Sequence, residues 1–432
     1  MVPGSKCSMP ETLLHRDIGE RCWNESSPVG KTYSLTHEGA MERHALAPSV
    51  PEDQKTHAVE GNRLRLLPGG EERLDALMSL IGEAEHTLHL YFYIFAKDQC
   101  GESLIDALAQ ASRRGVDVTL IVDAFGSAPT PTGFFQPLVE AGGRFARFGA
   151  RRSTRYLIRN HQKMVICDGR RAMIGGFNCE VSYFSSADDA SAWCDLGLLI
   201  EGPLVTGLLR WYAGLADWTI DSRQRFSQLR RLVRTWRPGS GKCIWLIGGP
   251  TRFLNSWARC LKTDLRAGRR LDLVAAYFSP SPGIMRRIAS IATRGEARLI
   301  TPEKSDNAAT VGAARHLYRR LLRAGVEVFE FMPQKLHMKL IVIDDIVYVG
   351  SANLDMRSLF LNLEIMLRVE DAGFAQEARA LVDRLADESA PIDRRAYTAL
   401  ASPFSRFRWW IDYLLVGVLD YTVTRRLNFR RR

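Results

Sequence analysis

Apolar residues along this chain follow two different periods, and the two kinds of segment alternate. Short apolar runs such as 86–95 (HTLHLYFYIF) and 116–122 predict buried strands. Segments such as 71–84 and 103–114 repeat apolar positions every three to four residues, which predicts amphipathic helices. Strands that alternate with helices are typical of layered α/β domains, so we predict that fold class for this chain.

The second part of the chain repeats the order of the first part. The predicted strands and helices are 62–67, 71–84, 86–95, 103–114, 116–122, 132–141 and 144–148 in the first half, and 244–247, 251–261, 271–278, 283–293, 297–301, 313–324 and 326–331 in the second half. The helix-ending glycines Gly115 and Gly295 are 180 residues apart, and the two motifs described below keep nearly the same offset. A constant offset indicates a duplication. We therefore predict two similar domains related by a pseudo-two-fold axis, with a shared cleft at their interface.

Composition divides the chain into five regions. Residues 1–60 are rich in Pro, Gly, Ser, Glu and His without a sustained period, which predicts a disordered N-terminal tail. We predict the two domains at 61–220 and 243–395. Between them, residues 221–242 hold six arginines and one lysine. This basic linker either runs over the rim of the cleft or forms a solvated basic helix. Residues 396–432 are predicted to form a basic amphipathic C-terminal tail.

Each half contains a histidine, a lysine and an aspartate at the same spacing. These are His161, Lys163 and Asp168 in the first half, and His337, Lys339 and Asp344 in the second half. Both segments are predicted to be β-hairpins with the aspartate at the turn. Side chains two apart on a strand share a face and lie about 7 Å apart, so each histidine and its lysine can touch one phosphate-sized anion. We predict that these six residues are catalytic.

Small residues and an asparagine follow each hairpin. In the first half these are Gly175, Gly176 and Asn178, and in the second half Gly350, Ser351 and Asn353. Small residues leave room for a ligand near the backbone, and the amide can donate to it. We therefore predict that Asn178 and Asn353 bind the substrate phosphate. The aspartate precedes the first glycine by seven residues in the first copy and by six in the second, which predicts a tighter second turn.

These paired segments resemble the HKD motifs of the phospholipase D superfamily. The residues around them, Arg159-Asn160 before the first motif and 353–358 and 361–364 after the second, are similar to the bacterial cardiolipin synthase branch. The resemblance covers about 60–395 and implies two tandem phospholipase D-like α-β-α sandwich domains with the active site at their interface. It also implies a phosphatidyltransferase that makes cardiolipin from phosphatidylglycerol or a related phospholipid through a phospho-histidine and releases glycerol.

Two histidines can divide the work of nucleophile and proton donor at neutral pH, because an unperturbed imidazole titrates near pH 6.5. The resemblance implies that His161 is the nucleophile and His337 the acid and base. It further implies that Asp195 and Glu364 hold the second ring nitrogen of the histidines, crosswise between the halves. The sequence leaves open which carboxylate serves which ring.

Charge and cysteine content add limits to this picture. The net charge of +11 suits an anionic partner, either a membrane or nucleic acid. Eight scattered cysteines without a Cys-x-x-Cys pair predict reduced thiols in a cytosolic setting and no zinc site. We predict no metal and no cofactor. No apolar run reaches 18 residues, so no transmembrane helix is expected, although members of the branch often carry such helices at the N-terminus.

The C-terminal tail combines aromatic residues with arginines. Residues 404–432 contain Trp409, Trp410 and Tyr413 among seven arginines. Such a segment favours an in-plane anchor on a membrane surface, and the alternative is a helix that packs its apolar face on the protein. We predict peripheral contact with anionic phospholipids, phosphatidylglycerol and cardiolipin, at the cytoplasmic face of the bacterial inner membrane. A phospholipase D hydrolase or a nuclease of the superfamily are the alternatives, and nucleic acid is disfavoured because the aromatic residues do not line the cleft.

Overall fold

Two mixed β-sheets of eight strands, one from each half, form the framework of the molecule. The computed structural model describes residues 55–149, 158–221, 224–251 and 254–419. The elements of the first half are β1 (His57–Val59), β2 (Asn62–Leu67), α1 (Gly70–Gly82), β3 (Thr87–Phe92), α2 (Gln99–Arg113), β4 (Asp117–Asp123), α3 (Gln136–Glu140), β5 (Arg144–Phe148), β6 (Met164–Cys167), β7 (Arg171–Gly175), β8 (Trp193–Cys194), β9 (Gly197–Glu201) and α4 (Leu204–Ile220).

A short helix, α5, leads into the second half, which ends in three helical segments. Its elements are α5 (Phe226–Thr235), β10 (Cys243–Gly248), α6 (Ser256–Ala267), β11 (Arg270–Ala275), β12 (Phe278–Ser279), α7 (Pro282–Arg294), β13 (Glu296–Pro302), α8 (Ala308–Ala324), β14 (Glu327–Phe331), β15 (Lys335–Leu336), β16 (Lys339–Ile343), β17 (Ile346–Gly350), β18 (Leu354–Asp355), α9 (Met356–Phe360), β19 (Glu364–Glu370), α10 (Ala372–Asp387), β20 (Ser389–Pro391), α11 (Arg394–Leu400), α12 (Pro403–Tyr413) and a π-helical segment (Leu414–Leu419).

Seven strands of each sheet follow the same order. The first sheet runs β2-β9-β7-β6-β3-β4-β5 and the second β10-β19-β17-β16-β11-β13-β14. In both sheets four successive antiparallel pairings are followed by two parallel ones. The sheets differ at their edges, where β1 lies beside β2 and β20 beside β14. The shared order confirms the predicted α/β duplication, and it puts the hairpins β6–β7 and β16–β17 near the centre of each sheet.

Successive residues of the hairpin strands enter different hydrophobic cores. In β6, Met164 and Ile166 join a central core that both halves share, whereas Val165 and Cys167 join the outer core with α1 and α2. Both faces of these strands are therefore buried, which explains why they appear in the sequence as unbroken apolar runs. The central core also contains α4 and α10 and joins the two halves around the motifs.

The structure corrects the boundary of the predicted tail and favours the helical alternative for the linker. The predicted tail 1–60 extends too far, because His57–Val59 forms β1 and pairs with β2; residues 1–54 lie outside the described residues. The predicted linker 221–242 contains α5, which buries Phe226, Leu229 and Val233 at helical spacing. Part of the linker is thus a helix docked on the central core, with its arginines on the outer face.

Two predicted elements begin or end elsewhere. The predicted strand 271–278 is broken into β11 and β12, and β12 leaves the large sheet to pair with β18. This break releases Tyr277 from the sheet. The predicted helix 251–261 begins only at Ser256, because the side chain of Asn255 accepts from the Ala258 N–H at 2.8 Å and caps α6.

The C-terminal helix α12 packs on the protein, as one of the two alternatives considered for the tail predicted. It packs on α8 and buries Trp409 in the outer core of the second half. Its other face leaves Phe404, Phe407 and Trp410 with 75%, 58% and 45% of their surface exposed. The rest of the tail, residues 420–432, lies outside the described residues. Within the described ranges, none of the helices has the length and apolar content needed to cross a membrane.

Candidate active site

The two predicted catalytic histidines lie side by side at the interface of the halves. His161 precedes β6 and His337 precedes β16, and their ring centroids are 6.5 Å apart. Only 9% of His161 and 5% of His337 is exposed. The two halves therefore bring both imidazole rings into one buried centre.

The main chain of the opposite half holds each histidine. The N–H of His161 donates to the carbonyl oxygen of Leu363 at 2.9 Å, and that of His337 donates to the carbonyl oxygen of Cys194 at 2.7 Å. Leu363 and Cys194 each stand immediately before one of the two predicted carboxylates. Each backbone contact therefore brings the next side chain along the chain to the ring of the histidine.

The carboxylates serve the histidines crosswise. Nδ1 of His337, in the second half, donates to Oδ2 of Asp195 of the first half at 2.7 Å. Nδ1 of His161, in the first half, faces Oε2 of Glu364 of the second half at 3.3 Å. This is the pairing that the sequence left open.

Both neighbours of Nδ1 of His161, the carboxylate of Glu364 and the carbonyl oxygen of Ser351, can only accept, so the ring proton resides on Nδ1 and Nε2 carries the lone pair. Nδ1 of His337 lies 2.8 Å from Nζ of Lys339 as well as 2.7 Å from Asp195. We assign the same tautomer to His337, because the buried carboxylate can only accept and Nζ of Lys339 has the carbonyl oxygen of His337 as its own acceptor.

Ser351, predicted only to leave room for a ligand, makes hydrogen bonds in the site. Its hydroxyl donates to Oε2 of Glu364 at 2.5 Å and accepts from the Ile365 N–H at 3.1 Å. Its carbonyl oxygen also faces Nδ1 of His161 at 3.1 Å. Ser351 therefore orients both members of the His161–Glu364 pair.

Two buried lysines add positive charge to the centre. Nζ of Lys163 donates to the carbonyl oxygen of His161 at 2.8 Å, and Nζ of Lys339 donates to that of His337. Burial lowers the pKa of Lys339 to about 8 against the opposing effect of Asp195, and burial also lowers the pKa of Lys163 well below its ordinary value. Cations in such a desolvated site stabilise charge on phosphate oxygens strongly.

Both histidines are neutral at pH 7 in the free protein. Burial lowers the pKa of His161 to about 4 and that of His337 to about 3; the neighbouring lysine acts in the same direction and the carboxylate opposes it. Burial works to raise the pKa of Asp195, but Lys339 and His337 outweigh it and hold this pKa below its ordinary value. Asp195 is therefore ionised beside a neutral ring that has an available lone pair on Nε2.

The two predicted phosphate-binding asparagines are not equivalent. The amide of Asn178 donates to the hydroxyl of Tyr183 at 3.2 Å and accepts from the Ile94 N–H at 3.3 Å. The side-chain oxygen of Asn353 is buried and has no hydrogen-bond partner within the described part of the chain. Asn178 therefore has one amide hydrogen left for a ligand. Asn353 can in addition accept a hydrogen bond from a ligand through its side-chain oxygen.

The structure does not bring the two motif aspartates to the histidines. Asp168 and Asp344 lie at the hairpin turns, at the other end of β6 and β16. The carboxylate of Asp168 accepts from the N–H groups of residues 85–87 at 2.7–3.0 Å, and that of Asp344 from residues 269–270 at 2.9–3.3 Å. We propose that both aspartates fix the turns rather than take part in catalysis. The second turn is one residue shorter than the first, which explains the difference in motif spacing.

Comparison with known proteins identifies the family. The family described as "Cardiolipin synthase, PLD-like domain" matches residues 77–199 and 264–386, one match in each half. Cardiolipin synthase A of Pseudomonas aeruginosa (strain LESB58) is 31% identical over 357 residues, which is 80% of this chain and 72% of the relative. The chain belongs to this cardiolipin synthase family. Cardiolipin synthase A of Klebsiella pneumoniae subsp. pneumoniae is 30% identical over 355 residues, 78% of this chain and 72% of the relative.

Solved structures share the fold of this cardiolipin synthase-like chain. Phosphatidylserine synthase from Haemophilus influenzae Rd KW20 has a TM-score of 0.64 at 15% identity and covers 85% of this chain and 97% of its own. Polyphosphate kinase from Porphyromonas gingivalis has a TM-score of 0.53 at 14% identity and covers 78% of this chain and 49% of its own. The predicted phospholipase D-like fold is confirmed, and the protein is a cardiolipin synthase-like phosphatidyltransferase of that superfamily.

A buried arginine that the sequence analysis missed supports the site of this cardiolipin synthase relative. Arg73, on α1, is 1% exposed. Its guanidinium donates to the carbonyl oxygens of Asp195 at 2.7 Å, Pro68 at 2.7 Å and Tyr183 at 2.8 Å. Arg73 therefore positions the segment that carries the carboxylate. The available signal was an arginine on the apolar face of a helix, where a charge needs partners.

Aromatic rings, also missed, enclose the histidines. Tyr183, Trp193 and Tyr277 lie 5.3, 5.4 and 6.4 Å from the ring of His337, measured between centroids. Their packing excludes water and accounts for the burial that lowers the pKa of His337. The rings come from distant parts of the chain, so no local pattern could have indicated them.

Proposed function

We propose that the protein joins two phosphatidylglycerol molecules into cardiolipin and releases glycerol, through a phospho-histidine on His161. The crossed pairs support this most: two neutral rings 6.5 Å apart, each held at Nδ1 by a carboxylate, present Nε2 to one phosphorus atom. The cardiolipin synthase relatives support the choice of lipid.

The proposed reaction has two displacements at the same phosphorus atom. First, Nε2 of His161 attacks the donor, the bond from phosphorus to the glycerol oxygen breaks, and this oxygen takes a proton from Nε2 of His337. Next, the hydroxyl of a second phosphatidylglycerol gives its proton to Nε2 of His337 while its oxygen attacks phosphorus, and the phosphorus–nitrogen bond breaks. Lys163 and Lys339 stabilise the charge on the equatorial oxygens.

The proton on His337 is supplied when the substrate binds. The pKa of this ring is about 3 in the free protein, mainly because of burial. An anionic phosphodiester close to the ring favours the protonated form and raises this pKa, and the ionised Asp195 already acts in that direction. We therefore expect the protein to take up a proton on binding an anionic phosphodiester and not on binding a neutral diacylglycerol.

We also propose that the exposed face of α12 contacts the membrane. Phe404, Phe407 and Trp410 follow each other at three-residue spacing on this face, and the rings of Phe407 and Trp410 stack at 5.9 Å. Arg406 and Arg408 are exposed beside them. Aromatic side chains with flanking arginines suit the headgroup region of an anionic membrane. The organisms of the relatives and the reduced state predicted for the cysteines support the cytoplasmic face of the bacterial inner membrane.

The segment after α12 lies beside strand β12. A Cβ added at Gly417 would lie 3.6 Å from Cβ of Ser279, an ordinary van der Waals contact. Ser279 belongs to β12 and follows Tyr277 by two residues, and the ring of Tyr277 lies 6.4 Å from that of His337. The C-terminal segment therefore packs on the strand that follows the Tyr277 wall of the His337 pocket.

Product analysis tests the proposed reaction. Phosphatidylglycerol vesicles with a labelled headgroup are incubated with the wild type, His161→Ala, His337→Ala and the exposed-histidine control His86→Ala. We expect cardiolipin and glycerol in equal amounts from the wild type and the control, and a loss of about a thousandfold or more in both site variants. Phosphatidic acid instead of cardiolipin would make the protein a hydrolase. No lipid turnover would direct the search to nucleic-acid phosphodiesters.

Vesicle binding tests the membrane contact separately. We expect Phe407→Glu combined with Trp410→Glu to abolish sedimentation with anionic vesicles. Val139→Glu changes an equally exposed apolar residue on α3 and serves as the control. Equal binding by both proteins would refute the role of α12.

A further inference from the structure

The two ends of the active site differ in charge although the two halves are related by duplication. At the His161 end, burial and the carboxylate of Asp123 raise the pKa of Tyr93, and the guanidinium groups of Arg159 and Arg357 act against this rise. The ring of Tyr93 is 4.9 Å from that of His161. At the other end, Tyr277 and the carboxylate bonded to its hydroxyl stand beside the lysines Lys335 and Lys339.

At the His337 end, the ring of Tyr277 forms part of the wall, and its hydroxyl is bonded to an exposed aspartate, Asp306. The ring of Tyr277 lies 6.4 Å from that of His337, and its hydroxyl donates to Oδ1 of Asp306 at 2.8 Å. Ser305 donates to the same oxygen at 2.9 Å. Since both bonds go to Oδ1, the second carboxylate oxygen of Asp306 can accept from a ligand.

Asn353 supplies a second acceptor beside this wall. Strands β12 and β18 pair in parallel with Phe278 opposite Leu354, and Tyr277 and Asn353 are the residues that immediately precede this pair. The side-chain oxygen of Asn353 is buried and, among the residues that the structure describes, meets no donor. A buried acceptor without a donor is costly, so this oxygen points to a hydroxyl or amine ligand.

Neighbouring cations favour a neutral ligand. Nζ of Lys335 lies 5.2 Å from the centroid of Trp193, whose ring contacts His337 on another side. The ammonium of Lys339 is buried in the same centre. A positively charged headgroup would be repelled by both lysines, whereas a neutral polyol can donate its hydroxyl hydrogens to a carboxylate and an amide.

The geometry of the proposed reaction determines which group of the substrate lies at the His337 end of the site. Entering and leaving oxygens lie opposite the nucleophile in an in-line displacement. With His161 as the nucleophile, both oxygens are on the side of His337. We infer that Tyr277, Asp306 and Asn353 form a glycerol subsite, which binds the hydroxyls first of the leaving glycerol and then of the acceptor. This inference rests on the proposed function.

A competition between two donors tests the glycerol subsite. Mixed vesicles contain equal amounts of phosphatidylglycerol and phosphatidylethanol, and the release of glycerol and of ethanol is measured together. We expect the wild type to favour phosphatidylglycerol, and Asp306→Asn and Tyr277→Phe each to lower the glycerol-to-ethanol ratio by about tenfold. Tyr277→Phe keeps the ring against His337 and removes only the hydroxyl. Glu296→Gln, at the opposite end of β13 from Asp306, serves as the control.

The outcomes separate the inference from the function on which it rests. Release of both alcohols with the wild-type ratio in Asp306→Asn and Tyr277→Phe would overturn the glycerol subsite and leave the proposed function standing. The subsite is equally overturned if the two rates fall together at a constant ratio. If the wild type releases neither alcohol, the proposed function itself fails and the subsite with it.

Discussion

Replacing Asp195 by asparagine removes one negative charge from the active site and almost nothing else. The carboxylate is fully buried, 2.7 Å from Nδ1 of His337. When the ring takes up its proton, the two charges are centred about 4 Å apart, and at an effective dielectric constant of about 20 their attraction is about 4 kcal/mol. Its loss lowers the pKa of His337 by about three units in the substrate complex. We therefore expect the rate of Asp195→Asn to fall about a thousandfold.

The hydrogen bonds of Asp195 predict a second defect in the same variant. Oδ1 accepts from the Leu196 N–H at 2.7 Å, so an asparagine will place its oxygen there and turn its NH₂ group toward His337. The NH₂ group can only donate, which forces the ring proton from Nδ1 to Nε2. The nitrogen that should accept the proton of the second lipid hydroxyl is then already protonated, and transfer to the acceptor fails at neutral pH.

Rapid-mixing measurements of glycerol release and cardiolipin formation check this reasoning. The fold should be unaffected, because the contact of Arg73 is with the carbonyl oxygen at position 195 and remains in the variant. Glu296→Gln, a remote carboxylate-to-amide change, controls for altered surface charge. A loss smaller than tenfold in Asp195→Asn, with an unchanged melting temperature, would show that the carboxylate does not govern His337 as we propose.

Three further predictions concern residues around the centre. Arg73→Met leaves buried carbonyl oxygens without a donor, so chemical denaturation should show a loss of about 3 kcal/mol or more in the free energy of unfolding, and a normal unfolding curve would contradict the role of Arg73. Because the pKa of Lys339 is lowered to about 8, the ammonium loses its proton as pH rises through that value, and kcat/KM should decline above about pH 8. A pH profile of Lys339→Arg that kept the same decline would refute this origin. Asp168→Asn should cost about 1 kcal/mol of stability while kcat per folded molecule stays unchanged, and a drop in kcat without a drop in stability would restore the catalytic role predicted from the motif.

The sequence predicts the placement of the histidines and lysines well because their relation is local. A strand has a period of two, so a histidine and a lysine two residues apart must share a face whatever surrounds them. The aspartate of the motif is equally regular in sequence, yet seven residues of hairpin take Asp168 to the far end of the strand. The regular spacing of a residue in both motifs is therefore as compatible with a structural role at the turn as with a role in catalysis.

Tertiary contacts decide what the sequence left open. The pairing of Asp195 with His337 depends on the backbone contact between Cys194 and His337, 143 residues apart in the chain. Tyr277 was predicted inside the strand 271–278, and only the departure of β12 from the large sheet exposes its ring to the site. Neither event has a local pattern, because the first depends on a contact between the two halves and the second on the pairing of β12 with the distant strand β18.

Neither half of the chain contains a complete acid–base pair, because His161 is paired with Glu364 and His337 with Asp195. A separately produced half would therefore be inert, and activity regained on mixing the halves would report their association directly. The same feature has a consequence for an ancestor with a single repeat. Such a protein would have needed to form a dimer in which the carboxylate of each subunit bonded to the histidine of the other. After duplication and fusion, this contact between subunits became a contact within one chain. The surroundings of the two histidines then diverged, and even the exchanged carboxylates differ in length, an aspartate for His337 and a glutamate for His161, while the crossed pairing itself was kept.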